Sequence, residues 1–353
     1  MRIRRYLRAC LMAAIASLAA VVVRTQSQTP AAQGSQDSGF RFKSGVELIN
    51  VTATVTDAAG RFVSGLHQED FQVFEDGQEQ AVTHFSADRV PVSLGILLDT
   101  SQSMRGEKFD AARGALDRFL SDLAAPDDEF FLMQFNSTPS LAQTWTADRE
   151  RINRALVGMM PNGSTAMYDA IADSVPLTRQ ARNRKKALVV LSDGKDVSSA
   201  TPLSEVHRLI RESEALIYAV GIDCATSNGS HRPPALFQQR GGMPVPYPFP
   251  MPPGRRGGWP QPPNNRYDLR RCQDPVDATA LRDLTDDSGG RTEIVRDTAD
   301  LNPATAGIAD ELSKQYYLGY PSAQKKDGRW HTIRVEVKNK SLRVRARRGY
   351  VAS

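Results

Sequence analysis

At 353 residues and 40% hydrophobic content, the chain can hold one large soluble globular domain or two ordinary ones. Its formal charge of +5 includes Arg2, Arg4, Arg5, Arg8 and Arg24, with no acid among the first 27 residues. Without that segment the charge falls to zero, which excludes an electrostatic case for nucleic acid as a partner.

Residues 1–27 open with a basic head, continue through a short apolar run and end in "RTQS", the layout of a secretory signal peptide, with an uncleaved membrane anchor as the alternative. No later stretch is apolar for long enough to cross a bilayer, so no membrane span is expected in the mature chain. A polar linker, residues 28–40, follows. "VELINVTATVTD" then places Ile49, Val51, Ala53 and Val55 on one face of a half-buried strand. "DFQVFEDGQEQAVTHF" reads as a hairpin turning on Asp76-Gly77, a type I′ dipeptide.

From Pro91 the pattern changes. Apolar strand runs "VSLGILLD", "FFLMQF", "KALVVLSD" and "ALIYAVGI" alternate with amphipathic helices. In "FDAARGALDRFLSDL", Phe109, Ala112, Leu116, Phe119 and Leu123 share a face. "TPLSEVHRLIRESE" is expected to start with Thr201 as N-cap and Pro202 at the first helical position. Such alternation predicts an α/β fold with a doubly wound, mostly parallel sheet covered on both sides.

Residues 227–268 are too rich in proline to build a core and read as an insertion at one edge of the sheet, able to dock a partner through polyproline-like runs or simply solvated. Cys224 and Cys272 bracket it and are the only cysteines beyond the signal segment. In an oxidising compartment they are expected to pair, closing a loop of roughly 50 residues at a gain of about 4 kcal/mol. The C-terminal "YYLGYPS", "WHTIRVEVK" and "LRVRARRGYV" read as three strands, the last with Arg343, Arg345 and Arg347 on a polar outer face. Neither β end can bury a core alone. Residues 41–90 and 315–353 are therefore expected to form one small β-sandwich, with residues 91–314 inserted between them. Truncation before Gln315 should then destabilise the N-terminal strands and leave the inserted domain folded and able to bind metal.

Ligands of open α/β sheets bind at the carboxyl ends of the strands. Asp99 stands at the exit of "LGILLD", with Ser101 and Ser103 at alternate positions beyond it, and Asp193 ends "KALVVLSD". Thr165 comes from "PNGSTAMYDAI", a glycine-containing loop before a helix. If these exits are neighbours, two carboxylates and three hydroxyls converge, a set suited to a small hard cation such as Mg²⁺. The absence of His and Cys argues against zinc or copper.

Asp99-Thr100-Ser101-Gln102-Ser103, then Thr165 in "GST", then Asp193 in "LSDGKD", resembles the metal-ion-dependent adhesion site of the von Willebrand factor type A (vWA) domain, D-x-S-x-S followed by Thr and Asp. The resemblance covers about Pro91 to Lys314, interrupted by the Pro-rich insertion, and "LTDDSGGRTEIV" is similar to the family's last helix-to-strand step. "GLHQEDFQVFEDGQEQAVTHF" resembles the amino-terminal part of a secreted bacterial VWFA-related group. The resemblance implies Mg²⁺ or Mn²⁺ held by Ser101, Ser103 and Thr165, with Asp99 and Asp193 direct or through water. An open coordination position would take an Asp or Glu carboxylate from a partner protein. It also implies a secreted or periplasmic adhesion module rather than an enzyme. Asp196 reads as a solvated turn residue or an outer support of the site.

Two other readings remain. "DDSGGR" is similar to the nucleophile segment of trypsin-like proteases, with Ser288 in the matching place, but it follows a helical stretch and no histidine motif accompanies it. A scaffold that binds partners through the sandwich or the Pro-rich loop, its metal site idle, is the remaining alternative. The five histidines lack a motif and read as surface or boundary residues.

Overall fold

The computed structural model describes residues 47–123, 125–223, 276–322, 324 and 326–352. The segments expected to be signal and linker, the Pro-rich stretch and the expected Cys224–Cys272 pair lie outside the described residues. Fourteen strands are seen among the described residues: β1 (Glu47–Thr56), β2 (Phe71–Glu75), β3 (Gln78–Gln80), β4 (His84–Ser86), β5 (Val92–Asp99), β6 (Glu129–Phe135), β7 (Pro139–Thr146), β8 (Lys185–Ser192), β9 (Leu216–Ile222), β10 (Thr292–Val295), β11 (Tyr316–Ser322), β12 (Trp330–Val337), β13 (Arg343–Ala346) and β14 (Gly349–Val351). The α-helices are α1 (Glu107–Leu123), α2 (Arg149–Val157), α3 (Met167–Thr178), α4 (Leu203–Glu212), α5 (Ala278–Asp286) and α6 (Leu301–Lys314).

The central sheet runs β10-β9-β8-β5-β6-β7, parallel except for β7 at the edge. All eight residues of β5 are buried, as a strand covered on both faces requires. One face packs on α1, α2 and α6 and the other on α3, α4 and α5. Gly95 interrupts the apolar run because a Cβ there would sit 2.3 Å from the Phe131 ring. The doubly wound sheet is the one expected. Its antiparallel edge β7 was not, because "PSLAQTWT" is half exposed and carries no clean alternation.

The remaining strands form two antiparallel sheets, β13-β1-β11-β4 and β14-β12-β2-β3, which enclose Ile49, Val51, Val55, Val73, Leu318 and Ile333. Both β ends of the chain contribute to each sheet: β1 lies between β11 and β13, and β2 pairs with β12. At the hairpin tip Asp76 (φ 47°) and Gly77 (φ 81°) are both left-handed, as a type I′ turn demands.

Two local expectations are corrected. "LRVRARRGYV" is not one strand: it divides into β13 and β14, which join different sheets. Arg345 and Arg347 consequently leave the outer face. Arg345 pairs with Glu311 of α6, and Arg347 is 7% exposed, close to Glu214. Helix α4 begins one residue later than expected, with Pro202 at the N-cap. Thr201 does not cap it; its backbone N–H donates instead to Asp169 Oδ1 at 2.8 Å.

The sandwich meets the α/β layers at the N-terminal ends of the central strands. Asn50 and Thr52 of β1 and Tyr317 of β11 line one cavity with Lys185 and Leu216, the first residues of β8 and β9. The carboxyl ends therefore face away from the sandwich.

His331 of β12 is buried, 7% exposed, and not the surface or boundary residue expected. Its Nδ1 lies 2.7 Å from Asp76 and its Nε2 3.4 Å from Asp327. The hydrogen bond to Asp76 raises the His331 pKa against partial burial, with Asp327 adding to it. On Asp76, hydrogen bonds from His331 and Thr332 outweigh the upward push of burial and lower its pKa. A raised histidine pKa stabilises the fold fully below the unfolded value near 6.5, and the gain fades as pH rises through the folded value. His331→Gln should therefore cost more stability at pH 5.5 than at pH 9 in urea titrations. With both acids about a third exposed, the difference should be at most about 1 kcal/mol. An equal cost at both pH values would show that the pair contributes no charge interaction.

Candidate metal centre

Strand β5 has β6 on one side and β8 on the other, so the winding reverses between β5 and β8. That reversal opens a crevice at the carboxyl end of the sheet. Asp99, the last residue of β5, and Asp193, the residue after β8, both stand there and are 0% and 1% exposed.

Backbone hydrogen bonds join the loops around them. Thr100 N–H donates to Phe135 O at 2.7 Å, tying the β5 exit to the end of β6. Asn162 N–H donates to Thr100 O at 2.7 Å, and Gln102 N–H donates to Gly163 O at 3.0 Å. Gly163 has φ +77°, and a Cβ on it would lie 2.7 Å from Ser137 Oγ. Glycine is thus needed for the loop that brings Thr165 in. Thr165 is 5% exposed, and its Oγ1 is 3.8 Å from where a Gly194 Cβ would stand, beside the Asp193 loop.

The side chains form a continuous string of oxygens. Asp99 Oδ1 accepts from Ser101 N–H at 2.8 Å, and Asp99 Oδ2 accepts from Ser192 Oγ at 2.5 Å. Ser101 Oγ lies 3.0 Å from Ser103 Oγ, which donates to Asp193 Oδ1 at 2.7 Å. Ser101 is buried and Ser103 exposed, so the string runs from the sheet to solvent. Burial pushes the Asp99 carboxyl up to about 6, with Asp193 adding to the push and the Ser192 and Ser101 hydrogen bonds opposing it. Among the described residues no three His, Cys, Asp or Glu side chains cluster as a metal site. The donor set is therefore rich in neutral hydroxyls.

Three residues that sequence reasoning passed over or undervalued take part. Ser192 anchors Asp99, and "LSD" at a strand exit was the available signal. Asp196 is a support and not a solvated turn residue: it accepts from Tyr168 N–H at 2.9 Å and Ser199 Oγ at 2.5 Å, fixing the start of α3 just past Thr165. The Lys108 ammonium, from the first turn of α1, pairs with Asp193 Oδ2; no spacing rule pointed to it. Ser288 has a structural task. Its hydroxyl donates to Thr285 O at 2.7 Å and accepts from Ile217 N–H at 2.8 Å, which leaves no role as a nucleophile.

A family model of the von Willebrand factor type A domain matches residues 94–195. Inter-alpha-trypsin inhibitor heavy chain H4 of Sus scrofa is 29% identical over 171 residues, covering 45% of this chain and 17% of that protein. Heavy chain H1 of Sus scrofa is 28% identical over 129 residues, covering 33% and 14%. The match thus spans less than a fifth of the length of these relatives. Among solved structures, a von Willebrand factor type A protein from Catenulispora acidiphila aligns with TM-score 0.46 at 15% identity, covering 86% of this chain and 72% of that one. The vWF domain of the pili tip protein Mfa5 from Porphyromonas gingivalis aligns with TM-score 0.29 at 19% identity, covering 31% and 40%. The family match runs from β5 through Asp193, the same stretch that builds the crevice, and that stretch is similar to a von Willebrand factor type A domain.

Proposed function

We propose that the protein is a non-enzymatic, extracytoplasmic adhesion module that holds Mg²⁺ or Mn²⁺ in the β5/β8 crevice and captures an Asp or Glu side chain of a partner protein. One observation carries the reading: Ser101 Oγ, Ser103 Oγ and Asp193 Oδ1 follow one another at 3.0 and 2.7 Å. An octahedral ion with oxygen ligands at about 2.1 Å spaces adjacent ligands about 3.0 Å apart, so the donor set fits such an ion with little movement. Thr165 supplies a further hydroxyl, and Asp99 and Asp193 bind directly or through water. Two carboxylates among hydroxyls leave part of the ion's attraction for an incoming carboxylate. The ion would supply that attraction; Asp99, anchored by Ser192, and Asp196, at the start of α3, keep the loops in place.

Calorimetry with Mn²⁺ tests the reading. Wild type is expected to bind one ion per chain. Ser101→Ala/Ser103→Ala should weaken binding by more than the roughly 10–100-fold that loss of an outer-sphere partner costs. Lys108→Met, which takes the ammonium off Asp193, should tighten it. Capture of an acidic peptide should need the ion and be lost with chelator. Equal binding by the double alanine variant would overturn the assignment.

A further inference from the structure

We propose that the junction between the sandwich and the α/β layers holds a small inorganic anion of chloride size on the guanidinium of Arg347. This site lies at the opposite end of the central strands from Asp99 and Asp193, about 25 Å away along β8 by strand rise, and does not depend on the metal reading.

Arg347 follows β13 and is nine-tenths buried, with 7% of its surface exposed. Its Nε and Nη1 are fully buried and have no hydrogen-bond partner among the described residues. Among the described residues the acidic neighbour is Glu214, its Oε1 3.4 Å from Nη2, and the Glu214 side chain is 48% exposed. The guanidinium carbon lies 5.8 Å from the Tyr350 ring centroid, which limits its freedom to turn outward. A buried cation with two donors unused is costly, and buried donors nearly always find a partner.

Beside it is a cavity of about 20 Å³, lined among others by Arg347, Asn50, Tyr317, Arg184 and Lys186. One water needs roughly 10–15 Å³. The space therefore admits a water or a monatomic anion. The charge balance separates these two. Arg184, Lys185, Lys186 and Arg347 line the cavity against Glu214 alone. Lys185 is directed elsewhere: its Nζ donates to Leu312 O at 2.5 Å, and burial with the nearby Arg89 holds it down at about 7. The buried Arg347 and half-buried Lys186, with the exposed Arg184 at the rim, still face the exposed Glu214. A water would satisfy donors and leave that imbalance; an anion answers both.

The other lining groups suit an anion. Burial raises the Tyr317 pKa, so its hydroxyl keeps its proton as a donor, with Arg184 beside it. Asn50 Oδ1 is buried without a partner. Turning that amide over replaces an unsatisfied acceptor with an N–H donor, a choice the hydrogen-bond network itself decides. Because Asn50 and Tyr317 belong to the sandwich while Arg184 precedes β8 and Lys186 lies in it, the bound anion would tie the two together.

The test is thermal unfolding of the full chain at constant ionic strength, with bromide or chloride replacing gluconate. Halide should raise the melting temperature with saturation, by about 3 °C at roughly ten times the dissociation constant. Arg347→Gln should abolish the rise, and Arg343→Gln, on the exposed part of β13, should keep it. Bromide-soaked crystals of the wild type give a readout that does not depend on the variant folding: an anomalous peak within hydrogen-bonding distance of Arg347 Nε is expected. Water alone at that position, or an equal halide response in folded Arg347→Gln, would overturn the proposal.

Discussion

Glu311→Ala should destabilise the protein by roughly 3–5 kcal/mol, the range for breaking a buried ion pair from one side. Glu311 is 0% exposed, and its carboxylate is the meeting point of the sandwich and the α/β layers. Thr54 of β1 and Tyr218 of β9 each donate to Oε1 at 3.0 Å. Arg345 of β13 pairs with Oε1, and Arg291 Nε is 2.8 Å from Oε2, a contact of charges without good hydrogen-bond alignment. Gln315 completes the group, donating to Thr54 at 3.0 Å and Tyr218 at 2.9 Å. Alanine would leave two guanidinium groups and two hydroxyls facing a void. Arg291 and Arg345 keep 27% and 34% exposure and can recruit water, which favours the lower end of the range. Glu311→Gln preserves the volume and should cost less. Urea titration of the three proteins measures this; a cost below about 1 kcal/mol for alanine would mean that the network is already solvated.

Ending the chain at Lys314 should have a larger effect and reach further than the strand pattern suggests. It removes both neighbours of β1 and β12, one of the two partners of β2, leaving Ile49, Val51, Val55 and Val73 without most of the strands that cover them. Two unpaired edges and an uncovered apolar face do not persist in water. Hydrogen exchange should show protection lost throughout residues 47–86. The sequence-based expectation that the α/β layers are spared needs amendment, because truncation also takes Arg345 and Gln315 away from Glu311. Strands β5 and β8 should stay protected but exchange faster by the same coupling. Full protection in β1 would mean that the two β ends do not share a core.

Much of this architecture was legible. The run from Val92 to Asp99 is apolar at nearly every position, and the structure buries all of it. Ile49, Val51, Ala53 and Val55 alternate and are buried together. The oxygen-bearing residues after β5 were visible because a strand that buries both faces has no other use for three polar side chains at its exit. What escaped has physical reasons. Strand β7 is half exposed and lacks a periodic signature. Arg345 and Arg347 sit where alternation reads as an outer face, and only the second domain beneath them turns that face into a junction. Asp196 and Lys108 act through loops and a helix turn brought together by tertiary folding, which no local spacing encodes.

The interleaving of the two chain ends also bears on how the molecule is made. The hydrogen bond from Tyr350 to Glu75 joins residues 275 apart in sequence. Contacts of that span form slowly, since a long loop must close before any reward arrives. At a synthesis rate of about 5–20 residues per second, β1 to β4 wait on the order of ten to fifty seconds before β11 exists. The central sheet can order during that wait, because the chain between β5 and β9 contains its own partners. Sandwich assembly is then the closing step. A nascent chain stalled before β11 would present the greasy faces of β1 and β2 to chaperones, and a ribosome-bound intermediate of that length is where holdase occupancy should peak.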